Sequence, residues 1–263
     1  MWQSGINDSS IDTDINDLNS MEKTQKAVTG KGSALTRYRQ VLIGKRSLTA
    51  FLYYEFCQLF TFFPGAFGMV LRKVFWPRMF KRCGKGTVFG CGVVVRQPGK
   101  IILGSSTVVS EYCVLDGRSV SEAESMTIGD NTILSNNVML SCKNGTITIG
   151  KDVGINAQTI VQSTNGNAVT IGDDCVIGQR CLIIGGGNYD ISNRESLIRT
   201  SPIAVDGGVT IENNVWLGAN VSVLGGVTMG QGSVAGTGAV ISRSIPTFSL
   251  CMGVPARVVR ERT

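Results

Sequence analysis

The chain has 263 residues, a formal net charge of +6, eight cysteines and no histidine. Its length suits one sizeable domain with an appendage. The positive charge is confined to one segment, because residues 34–100 carry twelve Lys or Arg against the single acid Glu55. It therefore bears on the surroundings of that segment and argues against nucleic acid as a partner of the whole protein. Without a histidine or a Cys-x-x-Cys pair, the cysteines indicate no metal site.

Residues 1–33 are polar, rich in Asp, Asn, Ser and Thr, and show no apolar period. Such a segment cannot bury enough apolar surface to fold, so the sequence predicts a disordered tail. No cleavable signal peptide is recognisable at the start, which favours a reducing, cytoplasmic setting.

Residues 34–85 are predicted to be helical. Glu55 is the only charge between residues 46 and 72, and aromatic and aliphatic side chains crowd this stretch. A Pro-Gly pair at 64–65 divides it, which predicts two short helices with a bend. One interpretation is a segment lying in one membrane leaflet, with the basic residues of 47–85, from Arg72 onward, against anionic headgroups. The other is a helical cap on the domain that follows, and the two are compatible.

Residues 86–241 contain aliphatic residues in groups of three. Within each group the spacing is six residues, and the spacing between groups varies. This period fits neither a helix nor the simple alternation of a strand, and three sixes make one triangular turn with three side chains inside. Gly, Asn and Asp after the aliphatic positions suit the corners. The sequence predicts an all-β domain, a parallel β-helix. The predicted inward positions are Leu103, Val109, Leu115, Ile128, Leu134, Leu140, Ile149, Ile155, Val161, Ile171, Ile177, Ile183, Ile211, Leu217, Val223, Met229, Ala235 and Ile241.

Three further features stand out in this half of the chain. Cys113, Cys175 and Cys181 each follow an inward position by four residues, which indicates packing. The largest gap between triples predicts a long loop at 185–208, and long loops on rigid scaffolds often carry function. Residues 242–263 follow the last triple as a short C-terminal tail.

The repeats, the Trp216 turn, the Gly236-Thr237-Gly238 corner and the tail motif Gly253-Val254-Pro255-Ala256-Arg257 resemble the hexapeptide-repeat acyltransferases in order and spacing. The likeness is strongest to the sugar and polysaccharide O-acetyltransferases and covers about residue 86 to the C terminus. It implies a left-handed β-helix, a homotrimer, and acyl-CoA, most simply acetyl-CoA, bound between neighbouring subunits. The segment 34–85 also resembles the N-terminal extension of some bacterial polysaccharide acetyltransferases, whose acceptors can be lipid-linked.

In that family the catalytic histidine lies just after the Gly-rich start of the long loop, and Asn188 stands at the nearest match. Asparagine can orient a hydroxyl but cannot accept its proton, so the usual general base is missing. Asp190 is a candidate base if burial raises its pKa, with Asn188 and Tyr189 positioning the acceptor. The alternative role of Asp190 is to form a turn. The acceptor could also supply its own base, or the enzyme could rely on binding and orientation.

The resemblance also assigns positions around the cofactor. Trp216 would form a wall of the acceptor pocket or pack at a subunit boundary. Arginines near the end of the chain would reach the CoA phosphates, because guanidinium forks suit phosphate oxygens. The candidate cofactor-binding residues are Ala219, Thr237, Ser242, Arg243, Arg257 and Arg260.

Together these features predict a CoA-dependent O-acyltransferase, expected to transfer acetyl groups without a metal. Its acceptor is expected to be a saccharide or lipid-linked saccharide, and its location the cytoplasm, peripheral to the inner face of the membrane. The alternative is a non-catalytic β-helix that binds a ligand or partner at the same place. A γ-class carbonic anhydrase is excluded, because its zinc ligands are histidines.

Overall fold

The computed structural model describes residues 33–44, 47–121 and 123–262. The predicted disordered tail of residues 1–33 therefore lies outside the described residues, apart from Ser33. Short strands dominate the rest, and every third strand joins the same sheet. The chain thus winds into a three-sided parallel β-helix, which confirms the predicted fold class.

Three sheets, here called faces A, B and C, form the sides of the coil, and all strand pairs are parallel except β22–β23. Face A consists of β1 (Arg82–Cys83), β4 (Ile101–Leu103), β7 (Met126–Ile128), β10 (Ile147–Ile149), β13 (Val169–Ile171), β16 (Val209–Ile211) and β19 (Val227–Met229). Face B consists of β2 (Val88–Phe89), β5 (Val108–Val109), β8 (Ile133–Leu134), β11 (Gly154–Ile155), β14 (Val176–Ile177), β17 (Trp216–Leu217), β20 (Val234–Ala235), β22 (Ser249–Gly253) and β23 (Ala256–Glu261). Face C consists of β3 (Val94–Arg96), β6 (Val114–Asp116), β9 (Met139–Lys143), β12 (Ile160–Thr164), β15 (Leu182–Gly185), β18 (Ser222–Val223) and β21 (Val240–Ile241).

The core of the coil is made of the predicted inward rows. All eighteen predicted side chains are buried, with relative exposures of 1% or less. The register places equivalent residues above one another, as in Ile128, Ile149 and Ile171 on face A. Because burying one such side chain contributes only roughly 1.5–3 kcal/mol, stability accumulates as coils stack. The thiols of Cys113, Cys175 and Cys181 are buried and unpaired, as expected for packing residues.

The corners explain the polar residues of the repeat. Asn131, Asp152, Asp174 and Asn214 each stand three residues after an inward residue and adopt a positive φ. Asn and Asp tolerate this left-handed conformation better than other non-glycine residues. Successive coils are also joined at corners, as where the Asp173 backbone N–H donates to Asn213 Oδ1 at 2.9 Å.

The N-terminal segment is helical and bent as predicted. It comprises α1 (Ala34–Tyr38), continued by a π turn (Arg39–Ile43), then α2 (Leu48–Gln58), α3 (Gly65–Phe75) and a 3-10 turn (Trp76–Met79). Pro64 is the N-cap of α3, so the Pro-Gly pair ends one helix and begins the next. Within the described residues, none of the helices has the length and hydrophobicity required to cross a bilayer.

The helices α2 and α3 cover the open end of the first coil. The Tyr54 hydroxyl donates to the Val95 carbonyl at 2.8 Å. The rings of Trp76 and Phe80 lie 5.3 and 5.4 Å from the Phe89 ring. This is the helical cap that was one of the two interpretations. Arg72 belongs to it and is buried at 2% exposure, so its expected contact with headgroups is wrong.

Three boundaries complete the fold. The first strand of face A begins at Arg82, before the predicted domain boundary at residue 86. The long loop runs from the end of β15 at Gly185 to the start of β16 at Val209, with one 3-10 turn at Ile198–Thr200. The C-terminal tail folds into the antiparallel pair β22–β23, which extends face B.

Candidate active site

A cavity of about 560 Å³ lies on the outer side of face B, toward the C-terminal end of the coil. Trp216 is the outward residue of β17 and stands in register between Val176 and Val234. Its neighbour Leu217 fills the core, so strand alternation directs the indole outward. Leu250 and Met252 of the added strand β22 complete an apolar wall.

The edge of this cavity is basic. Arg260 and Arg262 line it. Arg260 pairs with Leu250, and Arg257 pairs with Met252, across a register irregularity between residues 250 and 251. Residues three apart on a regular strand would face opposite sides, so this irregularity places both paired arginines on the outer face. An apolar wall edged by guanidinium groups suits an elongated ligand with an apolar arm and phosphates.

The corner between faces B and C brings two more predicted residues together. Ala219 and Thr237 occupy equivalent positions on neighbouring coils, and the Gly238 N–H donates to the Ala219 carbonyl at 2.8 Å. Thr237 lines the cavity. A Cβ on Gly218 would lie 2.7 Å from the Thr237 backbone nitrogen, so this corner requires glycine.

The remaining predicted cofactor residues do not line the cavity. Ser242 and Arg243 follow β21 at the end of face C and are exposed. The Arg257 guanidinium donates to the carbonyl of Ala256 at 2.9 Å. The structure therefore unites Trp216, Thr237 and Arg260, with Ala219 next to them.

The long loop is closed at its base by Asp206, which sequence reasoning missed. Its carboxylate accepts hydrogen bonds from the backbone N–H groups of Gly186 at 3.0 Å and Gly208 at 2.9 Å. The side-chain amide of Asn188 donates to the same carboxylate at 3.4 Å. The Asn167 side chain, which is buried, accepts from the Asp206 backbone N–H at 2.9 Å. Asp206 thus ties both ends of the loop to the corner between faces C and A and orients Asn188.

Beyond this base, the loop forms a short ladder. The Asp190 N–H donates to the Pro202 carbonyl at 2.9 Å, and the Ala204 N–H donates to the Asn188 carbonyl at 2.8 Å. Tyr189 bridges to Ile203 and is 42% exposed. The three loop residues chosen from the sequence therefore share one ladder, although none of them lines the cavity on face B.

Asp190 does not meet the condition set for a general base. Its side chain is exposed, and the Ser192 N–H donates to its carboxylate at 2.9 Å. This hydrogen bond lowers the pKa of Asp190 below its usual range. A carboxylate with a lowered pKa is a weaker proton acceptor at neutral pH, and the contact is the one expected of a turn-forming aspartate.

Comparison with known proteins gives consistent matches. A profile described as the hexapeptide repeat of succinyl-transferase matches residues 168–187 and 208–243. Galactoside O-acetyltransferase of Escherichia coli is 33% identical over 138 residues, which are 51% of this chain and 63% of that protein. A putative acetyltransferase of Schizosaccharomyces pombe is 46% identical over 96 residues, 35% of this chain and 43% of that protein.

A solved structure shows a looser likeness. AntD, an N-acyltransferase from Bacillus cereus in complex with dTDP and 3-hydroxybutyryl-CoA, has a TM-score of 0.48 and 19% identity. The match covers 70% of this chain and 84% of AntD.

The six-residue rows, the three-sided coil and the repeat profile agree. The chain carries the hexapeptide repeat and is similar to hexapeptide-repeat acetyltransferases. It spans less than two thirds of the length of the curated relatives it matches. The predicted resemblance is confirmed, whereas the activity, substrates and partners of the whole protein are matters of proposal.

Several residues at the site of this hexapeptide-repeat protein were only weakly indicated by the sequence, or not at all. Asp206 stands before Gly207-Gly208, which close the loop as Gly185-Gly186-Gly187 open it, so the symmetry of the loop could have indicated it. Arg262 lies two residues beyond an arginine that was chosen. Leu250 and Met252 carried no signal, because the added strand lies outside the six-residue period.

The described part of the chain offers no residue cluster for a metal. Among residues 33–44, 47–121 and 123–262, no three Cys, Asp or Glu side chains form a group that could hold a metal ion. Histidine is absent from the entire sequence.

Proposed function

We propose that this protein transfers an acyl group, acetyl in the first instance, from acyl-CoA to a hydroxyl of a saccharide. The cavity on face B carries the proposal, because its apolar wall ends in Arg260 and Arg262. CoA has a flexible arm ending in the thiol and, at the other end, phosphates that guanidinium groups bind well. Galactoside O-acetyltransferase and the putative yeast acetyltransferase support the reaction type, and the first of them supports the acceptor class.

The reaction needs one proton transfer. The hydroxyl oxygen of the acceptor attacks the thioester carbonyl and loses its proton, the carbon–sulfur bond breaks, and the thiolate leaves and is protonated. In the absence of a histidine, the loop contributes orientation through Asn188, held by Asp206, with Tyr189 beside it. The acceptor proton then leaves to water or to a group of the acceptor, so the reaction is slow.

A second candidate is a CoA-binding protein without turnover. The observations that favour it are the missing histidine and the lowered pKa of Asp190. It shares the cavity with the first candidate and differs only in the chemistry, so turnover distinguishes them.

The proposal includes a homotrimer, supported by the outward rows of the coil. On face A the outward residues are threonines in register at 127, 148, 170, 210 and 228. On face C the outward residues Val94, Val114, Met139 and Ile160 form an apolar row. Because apolar rows favour contact with protein and threonine rows tolerate water, face C suits a subunit interface. A position at the inner face of the membrane is likewise part of the proposal.

The proposal is tested by acetyl-CoA turnover, followed as thiol release, with a panel of saccharides and mass-spectrometric detection of acetylated product. The parent should turn over slowly. The variant Asn188→His restores the family's base and should raise the rate by about a hundredfold to ten-thousandfold. CoA binding without product in the parent, with product only from Asn188→His, would establish the second candidate. Absence of CoA binding would overturn both.

The cavity is tested by a pair of arginine variants. Arg260→Ala should raise the KM for acetyl-CoA by about tenfold to a hundredfold, since a charge-assisted hydrogen bond contributes about 1.5–3 kcal/mol. Arg243→Ala matches it in residue type and exposure but does not line the cavity, so its KM should stay near that of the parent. Equal effects of the two changes would place the CoA site elsewhere.

The trimer is tested by light scattering after size-exclusion chromatography. Ile160→Lys introduces a charge on face C and should dissociate the trimer, whereas Thr148→Lys on face A should not. A parent that is monomeric at micromolar concentration would contradict this part of the proposal.

A further inference from the structure

The helical cap has an apolar outer side. Exposed side chains recur along α2 at residues 48, 52 and 56 and along the second helix at residues 67, 70 and 74, and Leu59, Phe62 and Phe63 join the two rows. These are helical spacings, so each helix presents one stripe. The exposures reach 70% at Phe62, 67% at Leu59 and 66% at Phe67. We call this surface the outer stripe.

The outer stripe is fixed in place from the other side of the same helices. Arg72 donates to the carbonyls of Phe60 at 2.8 Å, Phe63 at 3.0 Å and Phe89 at 3.0 Å. The Gly92 N–H of the first coil donates to the Thr61 carbonyl at 2.9 Å. Turning the stripe inward onto the coil would break these bonds, so the two helices hold it outward.

The charges around the stripe indicate the kind of occupant. No charged residue occurs from residue 56 to residue 71. The exposed cations Lys73, Arg78, Arg82 and Lys85 follow on the end of α3 and in the first coil, whereas Glu55 is the only acid from residue 34 to residue 85. A second copy of this surface would bring like charges together. An anionic bilayer accepts the apolar side chains and attracts the cations.

We infer that the outer stripe docks the protein on an anionic lipid bilayer, with both helices lying flat in the interface and the first coil facing the lipid. Each helix has 11 residues and is about 16 Å long, far short of the roughly 30 Å hydrocarbon core. The stripe therefore enters only one leaflet. This inference rests on the membrane position included in the proposed function and names the surface and the lipid that produce it. Its test is separate from that of the acyl transfer, because lipid binding requires neither acetyl-CoA nor turnover.

The test is flotation of the full chain with vesicles of phosphatidylcholine alone or mixed with phosphatidylglycerol, without acetyl-CoA. The parent should bind the mixed vesicles, more weakly at high salt. Replacing Phe62→Asn and Phe67→Asn together should weaken binding at least about tenfold. The matched control is Val120→Asn, which removes a similarly exposed apolar side chain (77%) that is not part of the stripe and should bind as the parent does.

A second pair of changes separates charge from apolar insertion. Arg82→Gln with Lys85→Gln should weaken binding to the mixed vesicles about tenfold and leave binding to neutral vesicles unchanged. Circular dichroism of all variants should match the parent, because the altered side chains are exposed. A parent that does not float with mixed vesicles overturns the inference. So does a change of oligomeric state in the Phe62 and Phe67 variant without any loss of vesicle binding, which would make a second copy the occupant.

Discussion

The coil and the helical cap treat apolar residues in opposite ways. In the coil, every predicted inward residue is buried by the turns above and below it. In the cap, one side of each helix packs on the first coil through Tyr54, Cys57 and Arg72, while the other side leaves its aromatic and aliphatic residues exposed. Stacked coils therefore bury one another's apolar side chains. The cap ends the stack and has a coil on one side only, so the apolar residues on its other side can be buried only by a surface outside the coil.

The largest loss of stability is expected for a substitution in the core of the coil. Ile149→Ala removes a buried side chain between two equivalent isoleucines, and we expect it to lower the free energy of unfolding by about 2–5 kcal/mol. Thr148→Ala, one residue away and exposed on face A, should change it by less than about 0.5 kcal/mol. Urea unfolding at one protein concentration measures both. Similar losses at the two positions would show that the inward-facing rows are not the main source of the coil's stability.

In the cap, the corresponding weak point is Arg72. Arg72→Met keeps most of the volume but leaves buried carbonyl groups without a donor, which costs about 1–3 kcal/mol. We expect hydrogen exchange to accelerate in α2 and α3 and to stay slow in the coil. Lys73→Met, the exposed neighbour, is the control and should not accelerate it. Uniform acceleration across the chain would mean that cap and coil unfold as one unit.

The long loop is intermediate between the coil and the cap, because it has little regular structure but is held at its base by Asp206. Asp206→Asn removes the negative charge that accepts bonds from Gly186 and Gly208. We expect the anchoring of residues 186–208 to weaken by about 1.5–3 kcal/mol, seen as faster hydrogen exchange in that range alone. Asp190→Asn changes an exposed carboxylate in the same loop and should leave exchange at the loop base unchanged. If both variants behave alike, Asp206 is not the anchor.

These cases show which features a sequence reveals. The inward rows were predictable because the six-residue period is local and each position has one environment. The role of Arg72 was not, since its position after an apolar run is typical of a flanking charge, and only the fold brings the carbonyls of Phe60, Phe63 and Phe89 to it. The role of Asp206 depends on contacts with residues 20 positions away. Placing Arg257 and Arg260 on one face required the register irregularity of β22–β23, which no periodicity encodes.

A smaller effect is expected in the pH dependence of stability, because the coil also buries titratable thiols. Burial, and after it the charge of Asp116, raises the pKa of Cys142 to about 12 from an ordinary value near 9. The folded state therefore holds this proton more tightly than the unfolded state. The resulting stabilisation is complete below about pH 9 and is lost as pH rises toward 12, by roughly 1.4 kcal/mol per pH unit at most.

The variant Cys142→Ser isolates this contribution. Its hydroxyl can donate to the Ser125 carbonyl, as the thiol does at 3.1 Å, but does not titrate in this range. Urea unfolding at pH 8, 9 and 10 should show the parent losing stability relative to the variant only above pH 9. Other groups with raised pKa values, such as Tyr54, titrate equally in both proteins and cancel. Parallel pH curves would mean that the thiol becomes accessible to water in the folded state, and that the coil is less tightly closed at Cys142 than its burial indicates.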